Sequence, residues 1–216
     1  LVTASFRADG SSRYSAGSRW GYFPSGAVAW RISEEPFMKQ FEKVTNLKLR
    51  LGYGRTGSSA IDPYMTQNLL NTGKTATGTE NVPYYAPSST FPEDLKWETT
   101  SQWDVGADLG LFNQRLRFTA DYYYKKTSDL LLEAPIPGTS GLNTIMRNIG
   151  SVQNQGFELT LNTHNIQTDN FNWMSTVLFN VNRNKILNLG ENDEDIYPKP
   201  RHAQGDMLIL RVGEPV

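Results

Sequence analysis

The stretch WDVGADLGLFNQRLRFTADYYY, from Trp103 to Tyr124, decides the fold class. Its first arm sets Trp103, Val105, Ala107, Leu109 and Leu111 against Asp104, Gly106, Asp108 and Gly110. Asn113 and Gln114 mark a turn. The second arm returns with Leu116, Phe118, Ala120, Tyr122 and Tyr124 against Arg115, Arg117, Thr119, Asp121 and Tyr123. Successive strand side chains point to opposite sides of a sheet, so this alternation predicts a tight hairpin with one apolar and one polar face. Arms of about ten residues or more exceed the usual globular strand of about 5–6.

The pattern repeats on both sides. Toward the N-terminus, Leu47, Leu49, Leu51 and Tyr53 alternate with Lys48, Arg50, Gly52 and Gly54, which predicts a strand over Leu47–Arg55. Val2, Ala4 and Phe6 share a face within Leu1–Arg7, and Val28, Trp30 and Ile32 share one within Pro24–Ile32. The loop between them holds Asp9-Gly10-Ser11-Ser12-Arg13-Tyr14 and Arg19-Trp20-Gly21-Tyr22-Phe23-Pro24. Its glycine and serines read as a turn rather than a phosphate or metal loop. Ser33, Glu34, Glu35 and Pro36 read as a helix start, so a short helical connection is expected over Ser33–Lys43. Toward the C-terminus, Phe157, Leu159 and Leu161 alternate with Glu158, Thr160 and Asn162 within a strand over Val152–Thr163. A turn at Asn165–Asn170 leads to Phe171–Asn182, where Trp173, Val177, Phe179 and Val181 share a face. Met207–Val212 reads as the start of a final strand. Thr56–Lys96, Ser128–Gly150 and Arg183–Asp206 are polar, weakly periodic and read as loops.

Long and short connections alternate along this reading. An up-and-down barrel carries short turns at one end and loops at the other, whereas a Greek-key sandwich imposes no such regularity. Loops as long as Thr56–Lys96 are also uncommon inside a compact soluble domain. With the long loops facing outward, Phe23, Trp97, Tyr122 and Tyr124 fall near the outer strand ends. Trp30 and Trp173 fall near the inner ends, as membrane-interface girdles require, and Trp103 lies nearer mid-strand. The expected fold is all-β, an antiparallel up-and-down transmembrane β-barrel of which this chain supplies about eight strands. The alternative is a soluble β-sandwich module that binds glycan through aromatic loops.

Composition narrows the function classes. The 216 residues carry a formal net charge of -1, and the isoelectric point is about 6.2. There is thus no electrostatic footprint for nucleic acid. Mean hydropathy is -0.50, and no stretch approaches the roughly 20 apolar residues of a membrane helix. That excludes helical spans and leaves strand spans open. Cysteine is absent, which removes disulfides, thiol catalysis and thiolate metal sites. The two histidines, His164 and His202, lie in an expected turn and an expected loop, without metal-ligand spacing. No Gly-x-Ser-x-Gly elbow is present. The acidic run Glu191, Asp193, Glu194 and Asp195 lacks the EF-hand pattern and reads as a solvated loop. Leu1 and Val2 already sit in a strand pattern and Gly213–Val216 ends abruptly, so the chain reads as a piece of a longer protein.

An ordered series of motifs adds a family. These are Phe6, Arg7, Asp9–Tyr14, Arg19–Ser25, Trp30, Ile32–Glu35 and Phe37-Met38. Leu47–Arg50 with Tyr53-Gly54 and Thr56-Gly57 follows, then Leu95–Glu98, Asp121–Tyr123, Lys126-Thr127 and Asp129–Leu131. Asn148–Gly150, Asn154–Glu158 and Val212–Pro215 complete it. The series resembles the SusC/RagA family of TonB-dependent outer-membrane transporters of the Bacteroidetes. Ala8 stands where a second arginine is common in that family, and Ser58 where asparagine is more usual. The resemblance implies a barrel of about 22 strands around a plug, in the Gram-negative outer membrane and in contact with its lipid. Residues 1–216 would be part of the C-terminal barrel domain, without the plug, the TonB-contacting segment or the barrel-closing strand. It implies import of glycan or peptide oligomers, a SusD-like surface lipoprotein as partner, and TonB acting through the missing N-terminal parts. No catalytic residue, cofactor or metal is expected. Tyr64, Tyr84 and Tyr85, in the longest loop, are the candidate substrate-binding residues, since aromatic rings stack on sugar faces or pack against a partner. Asp104, Asp108, Arg115, Arg117, Asp121 and Glu158 are expected to form cross-strand pairs and plug contacts.

Overall fold

Every long strand follows from period-two alternation, and together they make one meander. The computed structural model describes residues 1–67, 69–78, 80–87, 92, 94–137, 139, 144–190, 193–197 and 209–216. In chain order the strands are β1 (Val2–Gly10), β2 (Trp20–Arg31), β3 (Val44–Ser58), β4 (Leu70–Thr77), β5 (Glu80–Pro87), β6 (Glu98–Leu111), β7 (Leu116–Ser128), β8 (Leu131–Pro135), β9 (Thr144–Asn148), β10 (Ser151–Gln167) and β11 (Asn172–Asn188). Seven of them form one antiparallel sheet in the order β1-β2-β3-β6-β7-β10-β11. The β4–β5 and β8–β9 hairpins are separate two-stranded sheets. Both lie in connections at the same end of the meander, here the loop end. The opposite, turn end carries residues 112–115 and 168–171 between strands.

The register turns the sequence pattern into two continuous surfaces. Val2, Val28, Leu51, Val105, Tyr122, Phe157 and Val181 are successive partners across all seven strands. The next row toward the turn end reads Trp30, Leu49, Ala107, Ala120, Leu159 and Phe179. Leu47, Leu109, Phe118, Leu161 and Val177 follow. Val105, Tyr122 and Phe179 remain 52%, 44% and 53% exposed. A sandwich requires a second sheet over such a face, and among the described residues no layer covers it. On the polar face, Arg50, Gly106, Asp121, Glu158 and Asn180 form one row, and Lys48, Asp108, Thr119, Thr160 and Leu178 the next.

Belts of amphipathic aromatics flank the apolar rows. At the loop end, Tyr53, Trp103 and Tyr124 are partners in one row, with the Tyr53 and Trp103 rings 4.6 Å apart. The Tyr122 hydroxyl donates toward Gln155 Oε1 at 3.2 Å, and Tyr124 toward Gln153 Oε1 at 3.5 Å. Both rings therefore lean toward the loop end. Toward the turn end Phe112, Phe171 and Trp173 are exposed, and Trp30, in the second apolar row, donates through Nε1 to Glu35 Oε1 at 2.9 Å. Polar tips that point away from the apolar rows at both ends suit the two interfaces of a bilayer. From Tyr124 to Leu116 the band runs eight residue steps along β7, roughly 26 Å.

Several expectations change. Residues 32–43 form no helix but two separate 3-10 turns, Ile32–Glu34 and Pro36–Met38. Glu35 is extended at ψ 145°, as the residue before a proline prefers, so the first turn cannot run into the second. This connection is also longer than residues 11–19 between β1 and β2, so the alternation of lengths fails for the first pair and holds for the others. The expected loops Thr56–Lys96 and Ser128–Gly150 contain the two extra hairpins. Strand β11 runs to Asn188, past the expected end at Asn182. Of the expected strand Met207–Val212, Met207 and Leu208 lie outside the described residues, and the described part shows a single bridge between Ile196 and Leu210.

Candidate functional site

The polar face gathers the charged side chains that alternation sets opposite the apolar rows. Arg50 on β3 reaches across its neighbour strand as a fork. Its Nε donates to Asp108 Oδ2 at 3.0 Å, and its Nη2 pairs with Asp121 Oδ1 at 2.9 Å. Thr119 donates to Asp108 Oδ1 at 3.2 Å. Gly106 lies between the partners, and a β-carbon there would strike Asp121 Oδ1 and the Arg50 guanidinium. The missing side chain is what lets one cation bridge three strands. Asn182 accepts from the Tyr123 hydroxyl at 3.1 Å, and Gly156 leaves the space the Tyr123 ring occupies. Gln102 donates to Asp104 at 2.8 Å. The expected cross-strand pairing thus holds for Asp108 and Asp121, whereas the Asp104 bond stays within β6. Arg115 instead sits at the turn end, where it donates to the carbonyls of His164 and Asn165.

At the loop end a collar covers part of this face. Tyr14, Ile61 and Leu95 are buried together, with Met65, Trp97, Leu131 and Met146 packed around them. Phe23 is also buried, at 4% exposure, and Trp97 meets its ring edge-on at 5.7 Å while stacking on Tyr14 at 5.6 Å. Phe23 pairs with Arg7 in the register, and the Arg7 guanidinium lies 5.7 Å over its ring. Phe23 and Trp97 therefore do not belong to the outer aromatic belt. They pin loops, while Tyr22, exposed and stacked on Phe6 at 6.1 Å, takes the outward place. Side chains at Gly21 or Gly57 would meet the Phe23 ring.

Hydrogen bonds tie three outer connections into one body. Arg13 donates to the Ile61 carbonyl at 2.7 Å, and Thr66 to the Arg13 carbonyl at 2.7 Å. Asn148 takes the Lys96 N–H on its Oδ1 and donates to the carbonyls of Lys96 and Asp129, each at 2.8 Å. Lys96 also pairs with Asp129 at 3.0 Å. The Tyr14 hydroxyl is buried and has no hydrogen-bond partner among the described residues. Burial first, and the charge of Glu98 second, raise its pKa.

Of the sequence candidates, Tyr64 is 64% exposed in the loop after β3, with φ at 65°. Tyr84 and Tyr85 are adjacent on β5, at 46% and 69% exposure. Strand geometry sends these two to opposite sides of the hairpin. The Tyr84 ring lies over Gly73, and Tyr85 pairs with Thr72. No ring pairing joins the three among the described residues, so they are separate exposed rings rather than one assembled site. His164 lies at the turn end beside a cavity of about 330 Å³ lined by Phe112, Arg115, Leu116, Thr163, His164 and Asn165, which holds neither a serine nor a carboxylate. His202 and Glu191 lie outside the described residues. Asp193 closes its own loop by accepting from the N–H of Leu189 and the amide of Asn188. Asp195 takes both Nε and Nη2 of Arg211, and that hydrogen bonding lowers its pKa.

Comparison with known proteins agrees with this architecture. Residues 1–203 match the family described as TonB dependent receptor-like, beta-barrel. The chain is 45% identical over 194 residues to TonB-dependent receptor P26 of Formosa agariphila, covering 89% of this chain and 20% of that protein. It is 40% identical over 204 residues to TonB-dependent receptor SusC of Bacteroides thetaiotaomicron, covering 91% of this chain and 20% of that protein. Among solved structures it resembles a chain of the RagAB peptide importer in its open-open state. The TM-score is 0.84 at 31% identity, over 99% of this chain and 22% of that one. The chain spans about a fifth of the length of the curated relatives it matches.

Proposed function

The chain belongs to the TonB-dependent receptor β-barrel family, and on that premise we propose that it is a stretch of barrel wall in a SusC/RagA-type importer of the outer membrane. The observation that carries this reading is the seven-strand register, with exposed apolar rows between two aromatic belts on one face and a polar network on the other. The apolar face meets lipid and the polar face lines the lumen. The plug and the barrel-closing strand belong to other parts of the protein, and TonB acts through those parts. The work is passage of a solute and makes or breaks no bond. The loop collar is the seat of a SusD-type surface lipoprotein, since it joins three outer connections into one rigid rim.

The solute is a glycan or peptide oligomer, in keeping with relatives described as SusC and as part of a peptide importer. Tyr64, Tyr84 and Tyr85 offer exposed rings to it at the loop end. The test is uptake by cells carrying the full-length protein and its lipoprotein. Deleting the full-length gene should abolish uptake of one oligomer class, and Tyr85→Ala should lower it several-fold with surface expression unchanged. A protein that fractionates with the cytosol or periplasm would overturn the reading.

A further inference from the structure

We propose that the loop-end margin of the apolar face is a binding surface for a phosphate-bearing lipid of the outer leaflet. This rests on the barrel-wall reading above. One row beyond the aromatic belt, Arg55, Ser101, Lys126, Gln153 and Lys185 are successive partners across five strands. Cations thus stand on every second strand, roughly 10 Å apart at neighbouring-strand spacings near 4.8 Å. Arg183 adds a fourth at the end of the belt itself, in the row of Tyr53, Trp103, Tyr124 and Gln155.

All four cations are exposed. None of them makes an ion pair among the described residues, whereas Arg7, Arg31, Arg50, Lys96 and Arg211 each have a carboxylate. No Asp or Glu occupies either row. Unpaired cations on the membrane side of a wall repel each other unless an anion comes to them. Gln153 and Gln155 accept the tyrosine hydroxyls through Oε1, which leaves their amide N–H groups as donors to the same zone. The surface therefore matches an amphiphile in layers: phosphate against the cation row, headgroup edge against the aromatic belt, acyl chains on the apolar rows. A soluble anion would use the cations alone.

The experiment uses the full-length protein extracted from outer membranes in non-ionic detergent, with lipid A as probe in mixed micelles. Lipid A should bind saturably. The triple substitution Lys126→Gln, Arg183→Gln and Lys185→Gln should weaken it about a hundredfold, at about 1 kcal/mol per basic residue. The single variants should weaken it by smaller steps, which keeps the test sound if the triple variant assembles poorly. Dephosphorylated lipid A should bind wild type about as weakly as the triple variant binds lipid A. The lumen-face variant Lys125→Gln should bind like wild type. Equal binding to the triple variant and wild type, or competition by inorganic phosphate at equal concentration, would overturn the proposal. Failure of wild type to reach the outer membrane would instead overturn the barrel-wall reading.

Discussion

Arg50 shows how a single residue choice propagates. A cation between two carboxylates on the polar face stays only if its neighbour has no side chain, and Gly106 meets that need. Gly106→Val forces the fork apart and leaves Asp108 and Asp121 facing each other. The expected cost is about 1–3 kcal/mol, typical of overpacking, read as a lower unfolding temperature of the full-length barrel in detergent. Arg50 is partly exposed, so its loss alone should cost less than a fully buried pair would. Tyr14 gives an opposite prediction. Its hydroxyl is buried without a partner among the described residues, so Tyr14→Phe should be neutral or stabilising by up to ~1 kcal/mol. Its raised pKa means the folded state holds the phenol proton more tightly than the unfolded chain. The collar is then fully stable below the ordinary tyrosine pKa and weakens as pH rises through the folded value. Near-ultraviolet circular dichroism should show an alkaline transition in wild type that is reduced in Tyr14→Phe.

At the scale of the element, adjacent residues of one strand face different solvents. Leu159 lies in an apolar row of β10 and Thr160 in a polar one. Leu159→Arg should destabilise by about 2–4 kcal/mol as a charge near the bilayer midplane, while Thr160→Arg should be tolerated. Heat-modifiable migration of outer-membrane fractions checks both, and equal assembly of the two variants would remove the lipid-facing assignment. The same difference in solvent made β3, β6, β7, β10 and the first part of β11 legible in the sequence. Strands β4 and β5 were not, because both of their faces are largely exposed and Leu70–Thr77 has no reason to alternate. Phe23 was misplaced because nearness to the outer strand end was read as a face, whereas period two counted back from Trp30 and Val28 puts Tyr22 on the apolar side and Phe23 on the polar side, where Trp97 from a distant loop covers it. The end of β11 was hidden because Arg183 and Lys185 lie beyond the apolar band, where the outward face turns basic. The candidate site was legible as a polar row. The Arg50 fork depends on register, and register appears only when neighbouring strands are aligned.

For the molecule as a whole, the sheet has two outer edges. Among the described residues β1 pairs only with β2, and β11 only with β10 apart from a short strap. In that strap Gly213 N–H donates to the Ile186 carbonyl and Ile186 N–H to the Glu214 carbonyl, each at 2.9 Å. The strap reaches the loop end of β11, and among the described residues most of that strand's outer backbone has no partner strand. Exposed edges of this length invite pairing with other copies, and the uncovered apolar rows strengthen the tendency. Among the described residues, buried apolar side chains are few and confined mainly to the collar and the end of β11, and no central core there holds the sheet against this pull. Residues 1–216 expressed alone should therefore pellet from detergent-free buffer on refolding. In detergent micelles they should stay dispersed with strand-rich circular dichroism. Sedimentation velocity separates the outcomes. A monodisperse, cooperatively unfolding monomer in plain buffer would mean that something in the chain covers the apolar rows, and the assignment of that face to lipid would fall with it.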